Sequence, residues 1–166
     1  MRIERTGGGD RVVMTPAGWE SSRRNARIVA ALAAWAEGDG SGVVTDSSGG
    51  FLLPNGAMRS PDAAWLSRRR RGEVPAAERE RFLPLVPEFM VELLSPSDAR
   101  AELEAKTEEW IANGVRLGWL IDPFERRVAV YRPEREPEVL EGVEAVAGDP
   151  ELPGFVLELD GVWVAG

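Results

Sequence analysis

The sequence contains no cysteine and no histidine, and each absence excludes a class of site. Without cysteine the chain forms no disulfide, no thiolate metal centre and no cysteine nucleophile. Without histidine it lacks the side chain that most often serves as general base and as a zinc or iron ligand. A bound metal would therefore be held by oxygen atoms, which favours a hard ion such as Mg²⁺ or Mn²⁺.

Lysine is nearly absent as well. The chain has 20 basic residues, and Lys106 is the only lysine among them. Arginine and lysine are not interchangeable, because lysine is a compact point charge whose pKa shifts readily on burial. A single lysine in an arginine-rich chain therefore indicates a specific role at that position. The alternative is a long side chain that reaches solvent by chance.

Long apolar runs are missing too. No stretch approaches the roughly 18 apolar residues of a membrane span, and the N-terminus MRIERTGGGD has no signal-peptide core. We expect a cytoplasmic, bacterial-type protein with no membrane association. Its 166 residues predict one domain covering residues 1–166, with a substantial core.

The net charge of −8 is unevenly distributed along the chain. Residues 1–82 hold 13 arginines against 10 acids, and residues 83–166 hold 7 basic residues against 18 acids. A protein that coats nucleic acid is usually basic. This chain would need a local basic patch to hold DNA.

The hydrophobic pattern predicts an α/β fold in which strands and helices alternate. We expect a loose N-terminal segment at 1–14 and an exposed ribbon at 133–150. The remaining predicted elements are a helix at 19–36, short strands within 43–66, a buried strand at 88–94, a helix at 98–112, strands at 116–121 and 127–132, and a terminal strand within 155–164.

The buried strand contains a carboxylate, Glu92, within the run EFMVELL. Burying an uncompensated carboxylate costs on the order of several kcal/mol. Alternation places Glu88 and Glu92 on the same face of the strand, where they repel each other unless a cation lies nearby. A functional site is one interpretation, and pairing with an arginine at an exposed strand end is the other.

Lys106 offers a cation for Glu92. On the helix at 98–112 it shares a face with Leu103 and Trp110, the face that must meet the sheet. The opposite face is expected to be solvated and carries four glutamates, Glu102, Glu104, Glu108 and Glu109. The strand that Lys106 faces is then the preceding one, which contains Glu92.

Two further features precede this strand. Asp62 follows Ser60-Pro61 at the start of a predicted strand, as a metal-binding carboxylate or a simple turn former. Two carboxylates on neighbouring strands can hold a divalent metal, and an ammonium beside them can steady a water or a phosphate. The run Arg68, Arg69, Arg70 and Arg71 is either a solvated loop or a patch that contacts phosphates.

These motifs resemble the Uma-type restriction endonuclease family of the PD-(D/E)XK nuclease superfamily. The resemblance covers roughly residues 15–132 and rests on Pro61-Asp62, PEFMVELLSPSD, Lys106 with an aromatic residue four positions on, and NGVRLGWLIDP. It implies a restriction-endonuclease-like α/β core, with a mixed sheet flanked by helices in αβββαβ order. It also implies Mg²⁺-dependent (or Mn²⁺-dependent) hydrolysis of DNA phosphodiesters.

The resemblance assigns roles to particular residues. Asp62 and Glu92 would be catalytic metal ligands, the backbone carbonyl of Leu93 a further ligand, and Lys106 the catalytic lysine. The superfamily usually places this lysine two residues after the second acid, where this chain has Leu94. The Uma-type family more often has Asp at the Glu88 position and Tyr at the Trp110 position. Accessory roles are expected for Glu20, Asn25 and Glu88, and DNA contacts for the four consecutive arginines.

Three readings of the whole chain stay open at this point. The first is a metal-dependent DNA endonuclease, expected by analogy to form a homodimer or higher homo-oligomer, with the terminal strand as one candidate interface. The second is a catalytically silent nuclease fold that binds nucleic acid or a protein. The third is a purely structural α/β oligomer whose acids are paired with arginines. Metal binding separates the first from the others.

Overall fold

A computed structural model describes residues 2–165. In chain order the strands are β1 (Arg2–Arg5), β2 (Arg11–Met14), β3 (Gly42–Thr45), β4 (Phe51–Leu52), β5 (Met58–Arg59), β6 (Ala63–Ser67), β7 (Phe89–Leu93), β8 (Leu117–Asp122), β9 (Arg127–Tyr131), β10 (Glu138–Glu141), β11 (Ala145–Ala147) and β12 (Val156–Glu158). The helices are α1 (Trp19–Asp39), α2 (Arg68–Gly72) and α3 (Arg100–Ala112), with a 3₁₀ turn at Ala76–Glu78.

The central sheet has the strand order β10-β9-β8-β7-β6-β3. Its neighbours pair antiparallel except β7 and β8, which run parallel with Phe89 opposite Leu117. Parallel neighbours need a crossover connection, and α3 supplies it. The core elements α1, β3, β6, β7, α3 and β8 follow the predicted αβββαβ order. The predicted mixed α/β fold is confirmed.

The two faces of the central sheet pack against different helices. On β7, Phe89, Val91 and Leu93 join the cluster that contains Ile28 and Leu32 of α1. Met90 points the other way, into the cluster that contains Trp110 of α3. Side chains alternate across a strand, so Glu92 shares the α3 face with Met90.

A loose end was predicted at residues 1–14, and for residues 2–14 this prediction is wrong, because two strands form there; residue 1 lies outside the described residues. β1 and β2 form a hairpin in which Ile3 lies opposite Val13. β1 also pairs with β5, giving a second sheet with the order β2-β1-β5-β4. This hairpin brings residues 2–5 next to α3 and β7.

The long helix α1 buries one face against the sheet and exposes its N-terminal end. Its buried residues are Ser21, Arg24, Ile28, Leu32 and Ala36, whereas Trp19 is 74% exposed. Alanines surround this helix on most sides, so its apolar pattern did not select one face. Among the helices of residues 2–165, none is long and apolar enough to cross a membrane.

Candidate active site

Two acids from neighbouring strands meet at one end of the central sheet. Asp62 immediately precedes β6, and Glu92 is the fourth residue of β7. The two strands run antiparallel, so the start of β6 lies beside the end of β7. The Asp62 amide donates to the carbonyl of Val91 at 3.0 Å, which fixes this end of the pairing.

The Asp62 carboxylate is held by the backbone of the neighbouring strand. Its Oδ2 accepts a hydrogen bond from the Leu93 amide at 2.7 Å. Burial raises the pKa of Asp62, and the Asp98 carboxylate raises it further. The Leu93 amide, Lys106 and Arg2 act in the opposite direction without cancelling the increase. The Asp62 carboxyl group is therefore short of positive charge.

The Glu92 side chain is 2% exposed and has two partners, both on α3. Its Oε1 lies 3.0 Å from Nζ of Lys106 and accepts a hydrogen bond from Nε1 of Trp110 at 3.1 Å. Burial raises the pKa of Glu92 to about 7, against the lowering effect of Lys106, and the charges of Asp62 and Glu4 add to the increase. The two acids repel each other, which is the condition that a shared cation relieves.

Lys106 lies between two carboxylates and is itself buried. Besides the contact with Glu92, its Nζ donates a hydrogen bond to Oε1 of Glu4 at 3.1 Å. Burial lowers the pKa of Lys106, but the charges of Glu92, Glu4 and Asp62 outweigh it and hold the pKa above its ordinary value. The side chain is thus a protonated ammonium directed at the sheet, as its helical position suggested.

Glu4 of β1 is the residue of this cluster that sequence reasoning missed. It is 1% exposed and contacts the ammonium of Lys106 and the guanidinium groups of Arg2 and Arg59. Its contact with Lys106 joins residues 102 positions apart, which no local pattern reveals. The available signal was the acid next to Ile3, in a segment that could form a hairpin with Val12-Val13.

Arg59 connects Glu4 to the face of α3 that was predicted to be solvated. Its Nε lies 2.6 Å from Oε1 of Glu109, and its Nη1 lies 3.3 Å from Oε2 of Glu4. Asn55 also donates to Glu109, at 3.2 Å. Glu109 is therefore a partner within the network, and its assignment to a solvated surface is wrong.

The two accessory residues expected on α1 differ in position. Nδ2 of Asn25 donates to the backbone carbonyl of Asp62 at 3.0 Å, so Asn25 supports the site. Its Oδ1 is buried and has no hydrogen-bond partner within residues 2–165. Glu20 is paired instead with Arg23 at 3.0 Å and Arg24 at 3.7 Å, on the exposed side of the helix. The structure does not bring Glu20 to Asp62.

Glu88 lies at the opposite end of β7 from Asp62 and Glu92. Its carboxylate accepts hydrogen bonds from the amide, at 3.0 Å, and the hydroxyl of Ser67. The repulsion expected between Glu88 and Glu92 is avoided because each acid has its own donors. Glu88 holds the end of β6 in place and is not part of the cluster around Asp62.

The four arginines form α2, which follows β6, whereas Asp62 precedes it. Arg68 lies six positions after Asp62 along an extended chain, a distance of roughly 20 Å. Arg68 donates to the carbonyl of Gly40 at 2.8 Å, and Arg69 lies 3.6 Å from Glu73. The structure does not place these arginines beside the acids, and a role in binding DNA stays a prediction.

The donors around Asp62 and Glu92 suit a small hard cation. Within residues 2–165, Oδ1 of Asp62 and Oε2 of Glu92 accept no hydrogen bond from the protein. Among residues 2–165 there is also no group of three or more Asp, Glu, His or Cys side chains placed to hold a metal ion. Mg²⁺ commonly binds through one or two carboxylates and retains several waters, so two acids and a backbone carbonyl fit its requirements.

A separate cleft of about 330 Å³ lies beyond α3 and includes none of these acids. Arg100 and Asp122 line it and form an ion pair with each other. Two amides of the β8–β9 turn, those of Phe124 and Glu125, also donate to Asp122, at 2.9 and 3.0 Å. These contacts account for Asp122 as a turn residue, so the cleft adds nothing to the acid cluster.

Known proteins are similar to this chain over almost its whole length. A family model described as "Uma2: Putative restriction endonuclease" matches residues 1–160. A solved structure described as a "putative nuclease belonging to DUF820", from Anabaena variabilis ATCC 29413, superposes with a TM-score of 0.85 at 19% sequence identity. The match covers 97% of this chain and 89% of that chain and shows a restriction-endonuclease-like fold. No curated protein sequence matches the chain.

Proposed function

The chain belongs to the Uma2 family of restriction endonucleases, and from that membership we propose that it is a divalent-metal-dependent DNA endonuclease acting through Asp62, Glu92 and Lys106. The observation that carries the proposal is the convergence of these three side chains. They come from the start of β6, the end of β7 and the middle of α3, and they share one cluster of charges. Hydrolysis of a phosphodiester bond is the reaction for which such a site is suited.

Asp62 and Glu92 would hold Mg²⁺ or Mn²⁺, with the carbonyl of Leu93 as a further ligand. The composition of the cluster supports this assignment, because it contains four carboxyl groups and only three cationic side chains. These groups are Glu4, Asp62, Glu92 and Glu109 against Arg2, Arg59 and Lys106. When bound, the ion would polarise a phosphate oxygen and lower the pKa of a water.

The protein's own donors orient the two carboxylates. The Leu93 amide engages one oxygen of Asp62, and the Trp110 indole N–H engages one oxygen of Glu92. Each acid keeps its second oxygen for a ligand. Because the donors belong to a strand and a helix of the core, the two carboxylates are preorganised and do not need to rearrange when a cation arrives.

Lys106 is the group that meets the phosphate. Its ammonium would donate a hydrogen bond to a phosphate oxygen as negative charge develops there, or hold the attacking water in position. The chain has no histidine to accept the proton from that water. We assign this proton to solvent or to an oxygen of the substrate's own phosphate.

A catalytically silent nuclease fold is the second candidate. It is favoured by the small number of carboxylates, since no group of three metal-ligating side chains occurs within residues 2–165. Such a domain would bind nucleic acid without cleaving it. The same experiment decides between the two candidates.

The test is nicking of supercoiled plasmid DNA in the presence of Mg²⁺ or Mn²⁺. We expect cleavage by the wild type, its loss on chelation, and a decrease of about 100-fold or more in Asp62→Asn. Asp160→Asn is the matched control, because Asp160 is an exposed acid paired with Arg27 at 3.1 Å, and it should cleave like the wild type. Cleavage that survives both chelation and Asp62→Asn would contradict the proposal, and DNA binding without cleavage would favour the silent fold.

A further inference from the structure

Glu4 is the most heavily contacted carboxylate of the site. Its Oε1 accepts hydrogen bonds from Nζ of Lys106 at 3.1 Å and from the Ser60 amide at 3.3 Å, and it lies 3.3 Å from Nη2 of Arg2. Its Oε2 accepts from Nη1 of Arg59 at 3.3 Å. A buried carboxylate with this many donors is fixed in position.

The position of Lys106 depends on more than Glu92. A lysine side chain has four rotatable carbon–carbon bonds, so a single partner leaves its ammonium free to swing. Contacts at 3.0 Å to Glu92 and 3.1 Å to Glu4 hold Nζ between two carboxylates that come from different strands. Two of the three N–H groups of the Lys106 ammonium then point at carboxylates, and these two contacts fix the direction of the third.

Glu4 is itself anchored to the helix that contains Lys106. Arg59 connects Glu4 to Glu109, with distances of 3.3 and 2.6 Å. Glu109 lies three residues after Lys106 on α3, so the contacts form a closed loop from the helix through β5 and β1 and back to the helix. The loop fixes the distance between β1 and α3 at the level of the site.

We infer that Glu4 is a positioning residue that holds the ammonium of Lys106 in line with the phosphate-binding side of the site. In this assignment Glu4 is neither a metal ligand nor a substrate contact, and it acts through Lys106, to which it is hydrogen-bonded. The N-terminal hairpin is then part of the site, because β1 contributes the second anchor of its only lysine. This inference rests on the proposed nuclease function for its consequence in catalysis, and its structural content is tested independently of activity.

The test uses the fact that Lys106 is the only lysine. In protein labelled with ¹⁵N at the lysine side chain, a single ammonium resonance reports on Lys106, and ion pairing protects its protons from exchange with water. We expect Glu4→Gln to shift or broaden this resonance. Glu88→Gln is the matched control, because Glu88 is also a buried carboxylate but is bound to Ser67 at the opposite end of β7, and it should leave the resonance at its wild-type position.

Two results of this measurement overturn the inference. One is an unchanged resonance in Glu4→Gln, and the other is an equal change in Glu4→Gln and Glu88→Gln, which would indicate a general loosening of the fold. If the amide spectrum shows that Glu4→Gln does not fold, the lysine resonance is measured in Glu4→Asp instead. Aspartate keeps the charge but withdraws the carboxylate by one methylene, so the same shift is expected, and an unchanged resonance overturns the inference.

Activity gives the second readout. We expect Glu4→Gln to lower kcat by about 10- to 100-fold, the size of effect that misplacing a reacting group produces, while KM and Mn²⁺ affinity change by less than about threefold. A kcat within twofold of the wild type would overturn the catalytic consequence. If the wild type shows no metal-dependent cleavage, the proposed function fails, and the lysine resonance still decides whether Glu4 positions Lys106.

Discussion

At the scale of single residues, Trp110 connects the hydrophobic core to the acids. Its ring packs edge-on against Phe51, with 5.9 Å between ring centroids, and its indole N–H donates to Glu92 at 3.1 Å. A buried aromatic residue with a polar tip serves both purposes at once. Trp110 therefore holds one oxygen of Glu92 while the helix holds the ring.

Replacing Trp110 with phenylalanine should separate these two contributions. Trp110→Phe keeps an aromatic ring but removes the N–H, which leaves Glu92 with one partner fewer. We expect the free energy of unfolding to fall by about 1 to 3 kcal/mol and metal-dependent cleavage to fall by about 10-fold. Urea unfolding and the plasmid assay measure the two effects.

Trp119→Phe is the control for this substitution. Trp119 is also fully buried, and its Nε1 has no hydrogen-bond partner within residues 2–165, so the substitution costs packing without a donor. We expect a loss of stability with cleavage unchanged. Equal losses of cleavage in Trp110→Phe and Trp119→Phe would show that the indole N–H has no special role.

Asp62 illustrates why a functional acid need not stabilise its fold. Burial raises its pKa, and a raised pKa means that the ionised form is less favourable in the folded chain than in the unfolded one. Asp62→Asn should therefore not lower the free energy of unfolding at neutral pH while it abolishes cleavage. A clear loss of stability in urea unfolding would mean that the carboxylate charge serves the fold.

The part of this site that could be predicted from the sequence consists of residues that are close together along the chain. Lys106 lies one turn before Trp110 on a helix that directly follows the strand of Glu92, so helical phase was enough to bring them together. Glu4 and Arg59 reach the site through strand pairings across about 55 residues. Pairing of that kind depends on tertiary contacts that short and partly polar strands do not specify on their own.

At the scale of elements, β6 separates the acid cluster from the arginines of α2. Asp62 stands at its start, and the arginines of α2 follow its end. Ser67 caps α2 by accepting from the Arg70 amide at 3.2 Å and also donates to Glu88, so this end of the strand is fixed. A DNA contact at α2 would lie some distance from the cleaved bond and would contribute affinity rather than rate.

Neutralising two arginines of α2 tests this arrangement. Among residues 2–165 the side chains of Arg70 and Arg71 form no ion pair, which leaves both available for phosphates. Arg70→Gln combined with Arg71→Gln should weaken DNA binding and reduce the slope of log affinity against log salt by about one per lost phosphate contact, with kcat unchanged. Arg116→Gln combined with Arg135→Gln is the control. Equal effects of the two pairs would exclude a specific role for α2.

A second element-scale contact joins the end of β9 to the loop before β12. Arg132 forms a two-pronged ion pair with Glu151, with distances of 2.7 and 3.2 Å. Burial alone would raise the pKa of Glu151, but the hydrogen bonds from Arg132 outweigh it and the pKa lies below its ordinary value. A carboxylate with a lowered pKa stabilises the fold above the pKa it has in the unfolded chain, and this contribution is lost as the pH falls through the folded pKa.

Glu151→Gln should therefore destabilise the protein at pH 7 and not in acid. We expect a loss of at most about 1 kcal/mol at pH 7, because the pair lies near the surface where solvent screens it. The difference from the wild type should shrink below about pH 4. Urea unfolding at both pH values measures it, with exposed Glu158→Gln as the control. A difference that does not depend on pH would show that the ion pair is not its origin.

The predicted elements were most accurate where the pattern was strongly apolar. The strands β7, β8 and β9 are buried runs with clear turns between them, and their positions were predicted within one or two residues. β1 and β2 were missed because their glycine-rich connection and mixed polarity resemble a disordered end. The helix α3 begins at Arg100, two residues later than predicted, because Asp98 is part of the preceding turn and accepts a hydrogen bond from the Ser95 amide at 2.7 Å.

At the scale of the whole molecule, the C-terminal segment packs its apolar side chains into the core of the same chain. Phe155, Leu157, Leu159 and Val162 are all buried within the chain, so this segment does not present the apolar face that a dimer interface there requires. Homo-oligomer formation stays a prediction that needs another surface. For the proposed function, the net charge of −8 would oppose contact with DNA at long range, so a bound cation and local arginines would have to offset it.

The measurement that tests the central claim most directly is the anomalous diffraction of crystals soaked in Mn²⁺. We predict an anomalous peak between the carboxylates of Asp62 and Glu92, at coordination distance from both and absent from crystals of Asp62→Asn. A Mn²⁺ peak elsewhere, or none in wild-type crystals at a concentration that supports cleavage, would contradict the assignment of these two acids as the metal ligands of the nuclease.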